Sequence, residues 1–446
     1  MIKQAVILCG GKGTRLGDLT KEFPKPLLPI QDEALLDRTI KLLAGQGFER
    51  FLLAAGFRAD LIIDHYKENP IEGVTIETII EETPLGTSGC LHLLADQLDE
   101  DFLLVYGDVF LDLDCRALAD NHESTGAMAT LLVRQSDHPW DSDLVDADDE
   151  GRVTALLSTA SRDPGGLYKN IGNAALYALN KGLLEFIGEN EKSDFCKDIF
   201  PRAIEAGSYL QTYFLPDGEW CKDMGTPDRL IVVETYLAQK ERIAEARANP
   251  KPIDTILIDR DGTLNTHDMS VNKGFVTQPN ELHLLPGAAE AVRLFNEAGM
   301  RVFVLTNQPG IARGLYDFTT LDAIHAKLET DLAADGAKVD GIYFSPFHPE
   351  TQYAEGLSEY RRASDCRKPG IGMIMQVVEQ HDIDLASTCF IGDTWRDVRA
   401  GKNAGVRTIL VEKTDDSGEI GPDMSFPTTL AAARHLTADV ATPTAS

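Results

Sequence analysis

Short apolar runs alternate with longer amphipathic segments along this whole chain, the pattern of α/β units built around mostly parallel sheets. In the first half the strand-like runs are Ala5–Leu8, Phe51–Ala55, Val74–Ile80, Phe102–Val105 and Ala129–Val133, and Ala34–Ala44 and Thr87–Leu94 fit helices between them. Near residue 250 the character changes. A charged, helix-prone stretch, Val232–Ala248, runs into Asn249-Pro250-Lys251-Pro252, which cannot continue a helix. A fresh set of buried-strand runs follows at Thr255–Ile258, Arg301–Leu305, Gly341–Phe344, Thr388–Ile391 and Arg407–Val411. A chain of 446 residues is long for one hydrophobic core. The expected organisation is therefore a domain over 1–239, a helix end and linker over 240–252, a second domain over 253–436, and a small, polar, frayed tail over 437–446.

Composition narrows the partners. The formal net charge of −29 disfavours nonspecific binding to nucleic acid or to an anionic membrane, both of which need a basic footprint. A chain this acidic that handles phosphates must gather Lys and Arg locally or use metal. Seven scattered cysteines form no close CxxC pair, as expected of a reducing compartment. The apolar run at the start is too short for a signal peptide, and no stretch approaches the roughly 18 apolar residues of a membrane span. A soluble, cytoplasmic protein is expected, with homo-oligomer formation left open.

The first chemical motif is Cys9-Gly10-Gly11-Lys12-Gly13-Thr14-Arg15-Leu16, directly after the opening strand run. Glycines there let backbone N–H groups approach a phosphate, and Lys12 and Arg15 add charge. It is neither a Walker loop nor a GxGxxG dinucleotide turn, since Leu16 occupies the third glycine position. The next segment, Phe23-Pro24-Lys25-Pro26-Leu27-Leu28-Pro29, sets Lys25 between prolines, which should fix an extended backbone and aim one cation.

Together GGxGTRL and FPKPLLP resemble the sugar nucleotidyltransferases, which join a nucleoside triphosphate to a sugar 1-phosphate and release pyrophosphate. The resemblance covers about residues 1–235 and implies a Rossmann-like, GT-A-like fold. It places Gly10, Gly11, Gly13 and Thr14 on the triphosphate, and Gly86 and Thr87 of Pro84-Leu85-Gly86-Thr87-Ser88-Gly89 at the nucleobase. Asn173, in Asn170-Ile171-Gly172-Asn173-Ala174-Ala175-Leu176-Tyr177, falls in the sugar-binding segment. Asp108 of Tyr106-Gly107-Asp108 and Asp223 of Trp220-Cys221-Lys222-Asp223 match the aspartates that hold Mg²⁺, while Arg15 and Lys25 offset phosphate charge. The sequence departs from the pattern at one place. Where many members carry Glu-Lys-Pro it reads Leu156–Ser161, with Lys169 a candidate substitute for the lysine that meets the sugar phosphate.

The second motif, Ile258-Asp259-Arg260-Asp261-Gly262-Thr263-Leu264, again follows an apolar strand run. Ligands in open α/β sheets sit at carboxyl strand ends, so two carboxylates fall in the right crevice. Asp259 can attack phosphorus and Asp261 can serve as general acid and base. Two further strand ends carry Thr306-Asn307, suited to phosphate oxygens, and Asp393, followed by Asp397. Arg367-Lys368-Pro369 lies between them, with Lys368 able to stabilise a phosphoryl group.

This set resembles the haloacid-dehalogenase (HAD) phosphatases over about residues 253–415. Its details look more like the D-glycero-D-manno-heptose 1,7-bisphosphate phosphatase branch, compact HAD-like enzymes with a minimal cap. The resemblance implies Mg²⁺ at Asp259, Asp261 and Asp393, with Asp397 joining or orienting them, and substrate contacts from Thr306, Asn307, Arg367 and Lys368. That branch often carries a structural zinc. Here the matching positions are Ser345, Phe347, Ser364 and Cys366, so no zinc is expected and the 346–365 loop should be held by packing or by Arg361 and Arg362.

The fold class expected overall is α/β, two doubly wound domains in series. Their chemistries make consecutive steps. A heptose 1,7-bisphosphate losing its 7-phosphate leaves a sugar 1-phosphate, which GTP, the favoured nucleoside triphosphate, would convert to GDP-heptose for surface-polysaccharide synthesis. The alternatives are another sugar or polyol bisphosphate with CTP, UTP or another triphosphate, or one domain acting as a non-catalytic regulatory module.

Overall fold

The computed structural model describes all residues except 12, 21–22, 137–141, 163–167, 217, 268–273, 350–355, 412–420 and 439–446. The expected tail therefore lies almost wholly outside the described residues, as does Lys12. The chain divides into two compact units, Met1–Leu237 and Ala238–Ser446. The helix Pro227–Ala248 runs through the point of division. Val233 and Leu237 pack in the first unit, and Ile243 and Ala246 join a core of the second. No helix among the described residues is long and apolar enough to cross a membrane.

In the first unit, four parallel strands lie side by side in the order Thr75–Ile80, Arg50–Ala55, Gln4–Cys9, Asp101–Tyr106. Gly172–Asn180 then joins antiparallel beside Asp101–Tyr106, and the sheet continues through Leu144–Ala147, Val153–Leu157, Ala129–Arg134 and Leu210–Phe214. Both faces are covered, because alternate residues of one strand serve opposite cores. Ala5, Ile7 and Cys9 belong to one core, and Val6 to the other with Leu52, Ala54 and Leu104. This burial explains why the central strands read as continuous apolar runs.

The second unit repeats the logic with six parallel strands in the order Gly341–Ser345, Arg301–Asn307, Thr255–Ile258, Thr388–Gly392, Arg407–Val411, Met424–Phe426. Ile256 and Ile258 pack on one face, Leu257 with Phe303 and Phe390 on the other. In both units strand order reverses beside the first strand, between Gln4–Cys9 and Asp101–Tyr106 and between Thr255–Ile258 and Thr388–Gly392. Crevices open at such reversals, beyond the carboxyl ends of the strands.

Two local expectations are corrected. Thr87–Leu94 is not one helix; only Leu91–Leu94 is helical. Residues 85–88 instead pair with a neighbouring segment, Ser193 N donating to Leu85 O at 3.0 Å and Ser88 N to Ser193 O at 3.2 Å. Lys25 is not extended either. Lys25–Leu27 is a 3₁₀ turn closed by Leu27 N to Pro24 O at 2.9 Å and Leu28 N to Lys25 O at 3.0 Å, with the extended backbone confined to its flanks, Pro24 and Leu28.

Candidate active sites

The crevice of the first unit holds a cavity of about 390 Å³. Gly10, Gly11, Gly13 and Arg15 line it from the loop after the opening strand, Lys25 from the proline segment, Gly86 and Thr87 from the 84–89 loop, and Asp108 from beyond the fourth parallel strand. Most of the residues expected at this site are thus brought together. Lys25 is buried, and its Nζ sits 2.6 Å from Asp108 Oδ2. Gly107 lets that chain pass close, because a Cβ there would meet Leu8 O at 2.7 Å. Asp223 ends the strand Trp220–Asp223, which runs antiparallel to Val109–Asp112. Met224 N donates to Asp108 O at 2.8 Å, which sets the two aspartates' chains side by side. Burial raises the Asp223 carboxyl, but its contact with Arg229 outweighs this and holds it below the ordinary carboxylate value. The Thr14 side chain lies outside the described residues.

Two expected ligands have their polar groups engaged by the protein. Thr87 lines the cavity, but its Oγ1 donates to Asp194 Oδ2 at 3.0 Å and accepts from Phe195 N at 3.1 Å. Asn173 Nδ2 donates to Tyr177 Oη at 2.6 Å and to Cys196 Sγ at 3.0 Å, while its Oδ1 accepts from Ala175 N. Lys169 is exposed and does not line the cavity. One lining residue was not singled out in the sequence. Glu81 follows directly on the strand Thr75–Ile80, and burial raises its carboxyl. Its Oε2 stands where a Cβ at Gly10 would come within 2.8 Å. The available signal was an acidic residue closing a strand run, three positions before Pro84.

In the second unit Asp259, Asp393 and Asp397 converge, with ligand atoms within 4.8 Å of one another. All three are buried. Lys368 Nζ bridges two of them, 2.7 Å from Asp259 Oδ1 and 2.6 Å from Asp397 Oδ1, and lies 2.8 Å from Leu305 O. Asp397 also closes a capping box on the helix Trp395–Asn403, its Oδ2 accepting from Thr394 Oγ1 at 2.6 Å. Burial and the crowding of like charges raise the Asp259 carboxyl well above the usual range, against the pull of Lys368. Asp393 is pushed up to about 7 by burial and by Asp397. Lys368 is raised, since the attraction of Asp259 and Asp397 exceeds the cost of burial. Gly262 is required at its position: with φ +85°, a Cβ there would lie 2.0 Å from Asp393 Oδ2.

Asp261, expected among the metal residues, lies outside this carboxylate group. Its carboxylate accepts from Arg260 at 3.0 Å, Asn265 Nδ2 at 3.0 Å and Gln308 Nε2 at 2.8 Å. Burial raises it, and these partners, Arg260 first, bring it below the usual value. Asn307, expected on substrate phosphate, pairs instead with the backbone of Lys368: Nδ2 donates to Lys368 O at 3.1 Å and Oδ1 accepts from Lys368 N at 3.0 Å. Its place in the site is to hold the lysine. Thr306 sits beside Asp261, Oγ1 to Oδ2 at 3.4 Å, and Arg367 donates to Phe347 O. Among the described residues of the 346–365 segment, both arginines make contacts. Arg361 bonds Gly356 O, and Arg362 stacks over Phe347 at 4.7 Å. Arg313 meets His348 at 2.8 Å.

Residues 4–240 match the nucleotidyl transferase family, and residues 365–433 match the HAD-hydrolase-like family. A mannose-1-phosphate guanylyltransferase of Mycobacterium tuberculosis is 32% identical over 229 residues, 51% of this chain and 62% of that protein. The D-glycero-beta-D-manno-heptose-1,7-bisphosphate 7-phosphatase of Rhodopseudomonas palustris is 37% identical over 158 residues, 35% of this chain and 83% of that protein. Its counterpart in Bordetella bronchiseptica is 38% identical over 157 residues, again 35% of this chain and 79% of that protein. The chain belongs to the nucleotidyl transferase family through its first unit and to the HAD-like hydrolases through its second.

Proposed function

We propose that this enzyme removes the 7-phosphate of D-glycero-D-manno-heptose 1,7-bisphosphate in its second unit. Its first unit then transfers GMP from GTP to the heptose 1-phosphate so formed. The observation that carries this reading is the buried group of Asp259, Asp393, Asp397 and Lys368, on the same chain as the glycine-lined cavity of Lys25 and Asp108. A phosphatase that leaves a sugar 1-phosphate makes the substrate class that a sugar nucleotidyltransferase consumes. Heptose as the sugar is supported by the names of the phosphatases that match the second unit, and GTP by the guanylyltransferase that matches the first.

In the phosphatase step Asp259 Oδ1 is held by Lys368 and by Arg260 N at 2.7 Å, so Oδ2 is the attacking oxygen. A P–O(Asp) bond forms as the P–O bond to the sugar breaks. Asp261, whose partners favour its ionised form, must first take up a proton; it gives that proton to the departing sugar oxygen, then takes one from the water that releases phosphate and regenerates Asp259. Lys368 offsets phosphoryl charge while Asp397 and Asn307 hold it in place. Asp259 and Asp393, both raised, with Asp397 beside them and a single lysine, are a donor set short of positive charge that fits Mg²⁺, with Asp259 and Asp393 as its holders. That ion would neutralise phosphate charge.

In the transfer step a sugar-phosphate oxygen attacks the α-phosphorus of the triphosphate. The bond to the bridging oxygen of the β-phosphate breaks, and pyrophosphate leaves; no protein nucleophile is needed. Lys25 and Arg15 offset charge beside the Gly10–Gly13 backbone. Asp108 and Asp223, with substrate phosphates, fit an Mg²⁺ site, since this ion is commonly held by one or two carboxylates plus phosphate oxygens. Glu81 supports guanine as the base. A carboxylate only accepts hydrogen bonds, and among the four bases guanine alone presents two adjacent donors, N1–H and N2–H₂, on its pairing edge. The commitment of Asn173 to Tyr177 and Cys196 favours a second reading, the same two reactions on another sugar.

Separate variants test the two halves. Asp259→Asn should abolish phosphate release while pyrophosphate release from a supplied heptose 1-phosphate persists, and Lys25→Ala or Asp108→Asn should do the reverse. Glu81→Gln should cut the preference for GTP over other triphosphates by roughly 10- to 100-fold, because the pairing edge is then mismatched. If wild-type protein lacks either activity across heptose phosphates and all four triphosphates, the reading of that unit fails.

A further inference from the structure

We propose that Gln308, fixed by Tyr316, is a positioning residue for the proton-transfer group Asp261. The proposal rests on the phosphatase reading above. Gln308 is 2% exposed and follows directly on the strand Arg301–Asn307, where its own N–H is tied to Ser345 O at 2.7 Å. Its Nε2 donates to Asp261 Oδ2 at 2.8 Å and to Thr306 Oγ1 at 2.7 Å, and its Oε1 accepts from Tyr316 Oη at 2.6 Å.

The direction of these bonds matters. A glutamine amide has a donating and an accepting end that differ little in shape, so its neighbours decide which way it faces. The Tyr316 O–H, by donating to Oε1, turns the NH₂ toward the carboxylate. Without it the amide is free to rotate and to set Oε1 against Asp261, two acceptors face to face. Burial pushes the Tyr316 phenol up, which keeps it a donor.

The local sequence is built around this contact. Tyr316 is 8% exposed and packs with Ile311 and Leu321. Its ring fills the space where Gly310 has no side chain: a Cβ there would lie 2.2 Å from Cε1 and 2.6 Å from Oη. Arg260 and Asn265 grip Oδ1 of Asp261, and Arg260 also reaches Oδ2. Gln308 is the uncharged amide on Oδ2. Asp261 must point one oxygen at the departing sugar oxygen, and without Gln308 its Oδ2 keeps only Arg260 and the longer contact from Thr306, which loosens that aim.

The test compares leaving groups, using the full chain with Mg²⁺. Release of p-nitrophenolate from p-nitrophenyl phosphate needs little help from an acid, whereas release of an alkoxide from glycerol 1-phosphate needs a proton. Because kcat/KM covers the steps up to release of the alcohol, it isolates that proton. Gln308→Leu should lower kcat/KM for glycerol 1-phosphate roughly 10- to 100-fold and for p-nitrophenyl phosphate by no more than about 3-fold. Tyr316→Phe should show the same split at smaller size, and the double variant should be no worse than Gln308→Leu alone. Equal losses on the two substrates, or additive losses in the double variant, overturn the proposal. If Gln308→Leu does not fold, Tyr316→Phe, which deletes one hydroxyl, decides by the same split. A wild-type protein inactive on both phosphates and on heptose 1,7-bisphosphate overturns the phosphatase reading itself, and this proposal with it; one active on heptose 1,7-bisphosphate alone decides by Gln308→Leu on that substrate, where an unchanged kcat/KM overturns the proposal.

Discussion

At the residue scale, the second site depends on close approaches that one atom would spoil. Gly262→Ala puts a methyl group 2.0 Å from Asp393 Oδ2 on a backbone with positive φ. Phosphate release should fall at least about 100-fold, with pyrophosphate release unchanged, since 1 Å of misplacement can cost that much. The charge state of Asp393 gives a second outcome. Its folded value of about 7 lies above the roughly 3.9 of an unfolded aspartate, so folding takes up a proton between them. That contribution to stability is complete below about pH 4 and is lost as pH rises through about 7. Mg²⁺ at the same carboxylates offsets the loss, so the rise in Tm on adding magnesium should be larger at pH 8 than at pH 5.5. An equal rise at both values would remove Asp393 from the metal site. The aspartates and lysines of the motifs could be picked out residue by residue because strand-end motifs are local, but not that Asp261 would stand outside the carboxylate group. The partners of Asn307 and Thr87 were not, since they lie on segments far away in sequence, Lys368 and Asp194, nor was the meeting of Asn173 with Cys196.

At the element scale, the long strand Gly172–Asn180 carries strain. Ala175 has φ +56°, where the strand's own register with Ala129–Arg134 shifts between Asn173 and Tyr177. A left-handed alanine costs roughly 1–2 kcal/mol, so Ala175→Gly should stabilise the first unit by about 1 kcal/mol in denaturant unfolding. Unchanged or lower stability would show that the side chain's packing outweighs the strain. Apolar runs predicted the parallel strands well, because burial on both faces leaves a continuous signature. The Thr87–Leu94 stretch misled for the opposite reason. Its residues suit a helix locally, but Gly86, at φ +81°, and Gly89 press within 2.2 Å and 2.1 Å of carbonyls in 191–193 for any added Cβ. That contact holds the chain as a loop.

At the scale of the whole molecule, each unit has its own cores and its own site. Two ligands should therefore act on two unfolding events. In calorimetry GTP with Mg²⁺ should raise one transition, and inorganic phosphate with Mg²⁺ the other. A ligand at 100 times its Kd contributes about 2.7 kcal/mol, on the order of 5–10 °C for a unit of this size. A single transition moved equally by both ligands would mean that the units unfold as one. The sequence by itself determined the α/β class, the two families and the identity of the charged residues at the strand ends. Those features arise from periodic burial and from motifs a few residues long. Only the tertiary structure decided which groups meet: Glu81 in the nucleotide cavity, Lys368 between Asp259 and Asp397, and Gln308 and Tyr316 behind Asp261. The glycine-rich turn and the DxD strand end mark where chemistry can occur. The long-range packing of loops then sets the orientation, hydrogen bonding and charge state of each group there.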